Sequence, residues 1–224
     1  MKDSLPRVIY VMGPPGAGKG TQAKMLAEKT GYVQFSTGDA FREVSRQDTD
    51  LGRRVKETID NGYLAPPELA ADIVINAVRK HIDEGRGLVF DGTPRTVEEA
   101  SLVDEFFERE GYGRPFVLFL SVDKEEMIRR NSQRKFCLGI KGDFSVTTDA
   151  DRRRCEELGG EVGVRPDDEP GKFATRWDEF MTRTYPVVEV YRRQKIVKEI
   201  DGMRSIAEVH RDVMNIIDDV ADTA

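Results

Sequence analysis

A glycine-rich segment near the beginning of the chain has the composition of a phosphate-binding loop. The apolar run Val8–Met12 leads into Gly13-Pro14-Pro15-Gly16-Ala17-Gly18-Lys19-Gly20-Thr21, and a stretch with helical periodicity follows. Glycines let backbone N–H groups turn towards a phosphate, the helix N-terminus adds positive potential, and Lys19 supplies a full charge. Gly20 stands where the general motif has Ser or Thr. We therefore expect a metal ion to be held through water or by another acid.

Two further segments carry charged side chains directly after candidate strands. The first is Ser36-Thr37-Gly38-Asp39-Ala40-Phe41-Arg42, in which a helix start explains Asp39 but not Arg42. The second is Asp91-Gly92-Thr93-Pro94-Arg95, which places Asp91 at the carboxyl end of a strand, where ligands of open α/β sheets bind. This acid could hold the water shell of a magnesium ion beside the glycine-rich loop.

The elements that must position these residues alternate between strand and helix. Apolar runs predict strands at Val8–Met12, 33–35, 88–90, 116–120 and 196–200, and helical patterns predict helices at 21–29, 69–84, 97–110, 124–135, 173–194 and 205–220. This alternation predicts a doubly wound α/β sheet with right-handed crossovers. The segments 47–67 and 136–170 break the pattern and predict irregular inserts, the longer of which is a candidate lid.

Taken together, these motifs resemble the adenylate kinase family of nucleoside monophosphate kinases. The resemblance includes Asn61-Gly62-Tyr63-Leu64-Ala65-Pro66, Arg165-Pro166-Asp167-Asp168, Arg176 and Ile200-Asp201-Gly202, in the family's order over nearly the whole chain. It implies one P-loop kinase domain over 1–224, with a five-stranded parallel sheet and helices on both faces. It also implies a monophosphate-binding subdomain at 36–65, a lid at 133–168, and reversible transfer of the ATP γ-phosphate to AMP, giving two ADP. Relatives have a cis peptide where Thr93-Pro94 stands, so we expect one here.

In-line transfer between two polyphosphate anions requires dense positive charge and exclusion of water. By residue match, the resemblance implies catalytic roles for Lys19, Asp91, Arg95, Arg134, Arg165 and Arg176. It implies ATP binding by Gly16, Ala17, Gly18, Lys19, Gly20, Thr21, Arg130, Arg134 and Arg204. It implies AMP binding by Thr37, Arg42, Tyr63, Leu64, Ala65, Gly92, Arg95, Glu99, Arg165 and Arg176. Mg²⁺ would accompany ATP and contact Asp91 through water, and no general base is needed because the attacking phosphate oxygen is already ionised.

The sequence departs from the family where the monophosphate base would be read. The family usually has an aromatic residue at the position of Thr93 and Gln at that of Glu99, where the amide reads adenine. An amide both donates and accepts hydrogen bonds, whereas an ionised carboxylate only accepts them. If Glu99 touches the base, its carboxylate favours the N–H donors of guanine or the amine of cytosine, and the acceptor is GMP, CMP or UMP. If Glu99 faces solvent, backbone groups read the base.

The candidate lid carries the second departure. Cys137 and Cys155 stand where zinc-containing relatives have two Cys-x-x-Cys-like pairs, so half of the ligands are missing. We expect no zinc, with Ile140 and Leu158 packing as a small apolar core; Asp143, Asp149 or Asp151 could complete a mixed site. Two cysteines make no disulfide framework, and we expect them to be free thiols in a reducing compartment.

Composition and charge narrow the classes of partner. The 224 residues include 35 Lys plus Arg and 41 Asp plus Glu, for a net charge of −6. This balance argues against duplex nucleic acid or an anionic membrane as the main partner. The sequence contains neither a membrane-spanning apolar run nor the apolar stretch of a signal peptide in its first residues. We expect a cytoplasmic protein and, from the family's usual state, a monomer.

Three functions remain in view. The first is an adenylate kinase, and the second is a nucleoside monophosphate kinase with another acceptor. The third is a catalytically inactive nucleotide-binding sensor, against which the intact Lys19, Asp91, Arg95 and Arg134 argue. A P-loop hydrolase is a weaker reading, because nothing resembles a water-positioning switch loop.

Overall fold

The computed structural model describes residues 5–140 and 142–223, so residues 1–4, 141 and 224 of the expected domain lie outside the described residues. The strands are β1 Val8–Met12, β2 Val33–Ser36, β3 Leu88–Asp91, β4 Phe116–Ser121, β5 Phe136–Leu138, β6 Phe144–Ser145, β7 Glu161–Gly163 and β8 Val197–Asp201. The α-helices are α1 Lys19–Thr30, α2 Thr37–Ser45, α3 Asp50–Asp60, α4 Pro67–Ile82, α5 Val97–Glu110, α6 Lys124–Gln133, α7 Asp149–Glu157, α8 Phe173–Glu179, α9 Tyr185–Arg193 and α10 Ile206–Thr223.

The central sheet has the order β2-β3-β1-β4-β8, and all of its strand pairs are parallel. Successive side chains of a strand point to opposite faces. Tyr10 accordingly packs in the core formed with α4, α5 and α9, whereas Ile9 and Val11 pack in the core formed with α1 and α10. Helices therefore cover both faces, which confirms the predicted fold class. This order places the carboxyl ends of β1 and β3 side by side, with Val11 opposite Asp91.

Helix α3 and the helix predicted at 173–194 differ from the sequence prediction. The segment 47–67, predicted to be irregular, contains helix α3, which begins after Thr49, whose hydroxyl accepts from the Gly52 N–H. Its apolar contribution is small, since its only fully buried apolar side chain is Val55, and this weak pattern hid the helix. The predicted helix 173–194 is divided by a π-helical turn at Phe180–Thr184. Pro186 follows this turn and has no N–H for the regular helical hydrogen bond.

The segment 136–170 is not irregular, because it contains a small sheet and a helix. The antiparallel strands lie in the order β6-β5-β7, and α7 precedes β7. A disulfide joins Cys137 of β5 to Cys155 of α7, and both residues are fully buried. The expectation of free thiols was therefore wrong. The sequence could not reveal this pairing, because it depends on the fold of α7 back onto β5.

The apolar core of this segment also differs from the expectation. Leu158 is 53% exposed, so it does not form the predicted core with Ile140, and the buried positions are instead Phe136 and the two cysteines. Among the described residues, no group of three or more His, Cys, Asp or Glu is placed to hold a metal ion. In the described part of the chain, no helix combines the length and apolar character needed to cross a bilayer.

Candidate active site

The glycine-rich segment connects β1 to α1. Helix α1 begins at Lys19, directly after Gly18, whose φ of 87° lies in the left-handed region that favours glycine. Gly13 approaches β4 so closely that a Cβ atom there would lie 2.5 Å from the carbonyl oxygen of Leu120. The turn places Gly16, Gly18, Gly20 and Thr21 along a cleft at the N-terminus of α1, as a phosphate site requires.

Lys19 adds the cation of this loop. Its Nζ donates a hydrogen bond to the carbonyl oxygen of Pro14 at 2.9 Å. Burial lowers the pKa of Lys19 to about 7; the carboxylate of Asp91 opposes this shift, and the nearby guanidinium of Arg95 adds to it. An anion bound at the loop would favour the charged amine.

Asp91 lies against the same loop. A Cβ atom at Gly20 would be 2.8 Å from Asp91 Oδ2, so a side chain at this position would require the Asp91 carboxylate to shift. The Thr37 hydroxyl contacts the carbonyl oxygens of Asp91 and Gly92 at 3.3 and 3.0 Å, which ties α2 to the end of β3. One carboxylate beside a phosphate loop is a suitable ligand set for Mg²⁺, which keeps most of its waters and takes oxygens from phosphates.

Nearly all of the predicted site residues line one cleft of about 1000 Å³. The cations along it are Lys19, Arg42, Arg95, Arg129, Arg130, Arg134, Lys135, Arg165, Arg176 and Arg204. The predicted monophosphate residues along it include Thr37, Tyr63, Leu64, Ala65, Gly92 and Glu99. Ala17 is the exception, because its side chain is buried in the core with α1. Seven carboxylates also line the cleft, those of Asp39, Asp91, Glu99, Glu126, Asp143, Asp167 and Asp168. The ten cations therefore leave a formal excess of three positive charges, which favours binding of polyanions.

One buried carboxylate organises two of the arginines. Asp168 has a side chain only 1% exposed and forms ion pairs with Arg176 and, at 3.5 Å, with Arg134. Arg134 also donates to Asn131 Oδ1 at 3.0 Å. A buried charge must be paired, so Asp168 keeps these two guanidiniums close together without occupying all of their donors. The sequence motif contained Asp168, but its spacing gave no sign of this role.

The ring of Phe136 contacts two guanidinium groups, that of Arg134 and that of Arg165. The Cζ atoms of Arg165 and Arg134 are 3.6 and 4.8 Å from the centre of its ring. Cation–π contacts of this kind are favourable when the groups are removed from water. Arg165 Nε is buried without a hydrogen-bond partner among the described residues, and burial lowers the Arg165 pKa to about 10. Sequence reasoning missed Phe136, whose only signal was its position at the start of the candidate lid.

Glu99 is engaged with the segment that precedes α5. It is 2% exposed, accepts a hydrogen bond from the Arg95 N–H at 2.8 Å, and also accepts one from the Thr93 hydroxyl. Burial raises the pKa of Glu99, and these hydrogen bonds oppose the increase. The reading in which Glu99 faces solvent is therefore wrong. The Thr93–Pro94 peptide bond is cis, as predicted.

The other end of the cleft lies beyond the glycine-rich loop. Arg130 Nε donates to Glu126 at 2.6 Å, and Arg204 pairs with Asp201 at 3.4 Å and with Asp212. Beside Arg204, the exposed apolar side chains of Met203 and Ile206 line the cleft. These apolar contacts suit the flat face of a nucleobase, and sequence reasoning missed both of them.

Comparison with known proteins decides the family. The family model described as adenylate kinase matches residues 11–196, which include the glycine-rich loop, Asp91 and all four arginines assigned to catalysis. The chain belongs to the adenylate kinase family. The family match covers β2, β3 and β4 in full and the last two residues of β1, and it ends just before β8, which pairs with β4 at the sheet edge.

Curated members of the adenylate kinase family are similar over almost their full length. The chain is 34% identical to the adenylate kinase of Lachnoclostridium phytofermentans over 215 residues, covering 95% of this chain and 99% of that protein. It is 36% identical to that of Thermosipho melanesiensis, covering 93% and 98%. It is 35% identical to that of Thermosipho africanus, again covering 93% and 98%.

Proposed function

We propose that this member of the adenylate kinase family is an ATP:AMP phosphotransferase that converts ATP and AMP reversibly into two ADP. The observation that carries the proposal is the convergence of the phosphate loop, Asp91 and the arginines on one cleft. The membership of the family and the names of the relatives support the same reaction.

The roles of the residues follow from charge and position. The phosphate loop with Lys19 would hold the ATP phosphates, and Asp91 would hold a magnesium ion through water. A phosphate oxygen of AMP attacks the γ-phosphorus, and the bond from the γ-phosphorus to the bridging oxygen breaks as ADP leaves. No proton has to move, because the attacking oxygen is ionised. Arg95, Arg134 and Arg176 would balance the charge that gathers at the transferring group.

The two inserts would complete the site. We assign the monophosphate to the side formed by residues 36–65, with Arg42 and Arg95 as its phosphate ligands. We assign residues 133–168 as a lid, with Arg134 near its beginning and Arg165 near its end. The lid would carry both arginines over the phosphates and exclude water. We also propose that the enzyme is a cytoplasmic monomer.

Thr93 and Glu99 support a second candidate function, a nucleoside monophosphate kinase whose acceptor is GMP, CMP or UMP instead of AMP. The Glu99 carboxylate is buried at the cleft and bonded to Thr93, and an ionised carboxylate would favour the donors of guanine or cytosine over adenine. The inactive sensor is a third candidate, which predicts nucleotide binding without turnover.

A coupled phosphotransfer assay with MgATP tests all three. AMP, GMP, CMP and UMP are offered separately to the wild type, to Glu99→Gln and to Glu98→Gln, whose side chain is exposed and serves as the matched control. Preference of the wild type for AMP supports the proposal. Preference for another monophosphate that shifts towards AMP only in Glu99→Gln supports the second candidate. ATP binding without transfer to any acceptor supports the sensor.

A further inference from the structure

We propose that Glu99 and Thr184 are positioning residues that hold the backbone of Arg95 from both sides and thereby aim its guanidinium at the monophosphate. This inference rests on the proposed function, because it takes Arg95 to be a phosphate ligand. It concerns two side chains that need not touch the substrate.

The hydrogen bonds of Arg95 carry the proposal. Glu99 Oε2 accepts from the Arg95 N–H at 2.8 Å, and the Thr184 hydroxyl donates to the Arg95 carbonyl oxygen at 2.9 Å. Arg95 Nε donates to the carbonyl oxygen of Gly92 at 2.6 Å. These bonds fix the main chain and the base of the guanidinium without using its two Nη groups. Those groups are the ones that bind a phosphate in a bidentate manner.

Thr184 reaches Arg95 because of the π-helical turn. It is the last residue of Phe180–Thr184, is 7% exposed, and lies 89 positions from Arg95 in the sequence. A threonine within a helix usually bonds a carbonyl of the preceding turn. Here the hydroxyl leaves its own helix and bonds the backbone of the site. Single π-turns are found frequently at functional sites, and this turn has that position.

Glu99 reaches Arg95 because of the start of α5. Thr96 is the N-cap of this helix, and its hydroxyl accepts from the Glu99 N–H at 3.1 Å. In a capping box the glutamate at the third helical position returns to the N–H of the cap residue. Glu99 extends one residue further and accepts from Arg95. The same carboxylate accepts from Thr93, so both ends of the Thr93-Pro94-Arg95 segment are tied to one buried group.

The charge of Glu99 adds to its effect. Its carboxylate attracts the Arg95 guanidinium, and this attraction opposes the burial that lowers the Arg95 pKa. A substitution that removes the charge and keeps the acceptor should therefore weaken monophosphate binding less than one that removes both. Glu99→Gln and Glu99→Leu make this comparison, with Glu98→Gln and Glu98→Leu as controls at the exposed neighbouring position.

The decisive experiment measures KM for AMP, KM for MgATP and kcat in Thr184→Val, Thr184→Ser and Thr182→Val. Thr182 is the matched control, because it is exposed and its hydroxyl donates within its own helix, to the Asp178 carbonyl oxygen at 2.6 Å. Loss of one hydrogen bond should raise KM for AMP about fivefold in Thr184→Val and leave KM for MgATP within about twofold. Thr184→Ser, which keeps the hydroxyl, should recover most of the loss.

The outcomes separate this inference from the proposed function. A wild type that transfers no phosphate to AMP overturns the proposed function and this inference with it. A wild type that transfers phosphate, with KM for AMP unchanged in both Thr184→Val and Glu99→Leu, overturns only the inference. Equal increases in both KM values also overturn it, because they indicate general loosening of the fold. If Thr184→Val does not fold, the Glu99 series decides by the same criteria.

Discussion

The disulfide in the candidate lid gives a quantitative prediction. Cys137 and Cys155 are separated by 18 positions, and closing a loop of that length removes about 3 kcal/mol of chain entropy from the unfolded state of the candidate lid. The candidate lid has little else to stabilise it, because its strands are two or three residues long and few of its side chains are fully buried. The double substitution Cys137→Ala with Cys155→Ala should therefore lower the free energy of local unfolding of the candidate lid by about this amount.

Hydrogen exchange measures this local unfolding directly. A loss of about 3 kcal/mol corresponds to an increase of about 100-fold in the exchange rate of protected lid amides. Peptides from β5 and β7 report on the lid, and peptides from β1 and β4 serve as the internal control, because these strands lie at the centre of the parallel sheet. The β1 and β4 peptides should keep their protection if the candidate lid unfolds without the central sheet.

Reduction of the wild type provides the second arm. A dithiol reductant converts the disulfide into two thiols and is itself oxidised, so the treated wild type should match the double variant. The double variant should not respond to the reductant. Exchange of the lid amides in the double variant that stays within about threefold of the wild type would refute the reasoning, since the cross-link would then contribute little to the stability of the folded segment.

Four further predictions concern the core, the candidate site and the two cysteines. Burial raises the pKa of Asp104 to about 6, and the Asp104 carboxylate accepts a hydrogen bond from the Tyr191 hydroxyl. The folded state therefore holds more protons than the unfolded state between about pH 4 and 6. The free energy of unfolding should fall as pH rises through this window. In urea titrations, Asp104→Asn should reduce this pH dependence and raise the free energy of unfolding by about 1 kcal/mol at pH 7, after screening by solvent. An unchanged free energy of unfolding at pH 7 would contradict the raised pKa of Asp104. Gly20→Ser would place a Cβ atom 2.8 Å from an Asp91 oxygen, and it should lower kcat at least about tenfold. Asp91→Asn should raise the magnesium concentration needed for the half-maximal rate. An unchanged magnesium titration in Asp91→Asn would exclude Asp91 as the ligand. Elemental analysis should find no stoichiometric zinc in the reduced protein, because two thiols do not complete a tetrahedral site, and one zinc per chain would contradict this.

The sequence predicted the central sheet and the position of the phosphate loop because both depend on local patterns. Val8–Met12 is apolar throughout and is followed by the glycines and Lys19, so strand, turn and helix could be read in order. The same is true of Asp91, which ends a buried strand. The cleft-lining arginines were predicted from motifs and not from physics, since an arginine on a helix surface is usually a solvated ion pair.

Contacts between distant residues could not be predicted from the sequence. The Cys137–Cys155 disulfide requires α7 to fold against β5, and the stacking of Arg165 on Phe136 requires the two ends of the lid to meet. The burial of Glu99 depends on the turn before α5 and on the hydrogen bond from the Thr93 hydroxyl. In each case the residue types were visible, but the partner was set by the tertiary structure.

The central claim is direct transfer of phosphate between two nucleotides in this cleft. The most direct measurement follows a label on the γ-phosphate of ATP during a single turnover, with magnesium present and with or without AMP. We expect the label to appear as the β-phosphate of ADP, only when AMP is present, and expect Arg95→Met and Lys19→Met to abolish the transfer. Release of the label as inorganic phosphate at a rate independent of AMP would contradict the account and indicate a hydrolase, and retention of the label on ATP would indicate a binding protein.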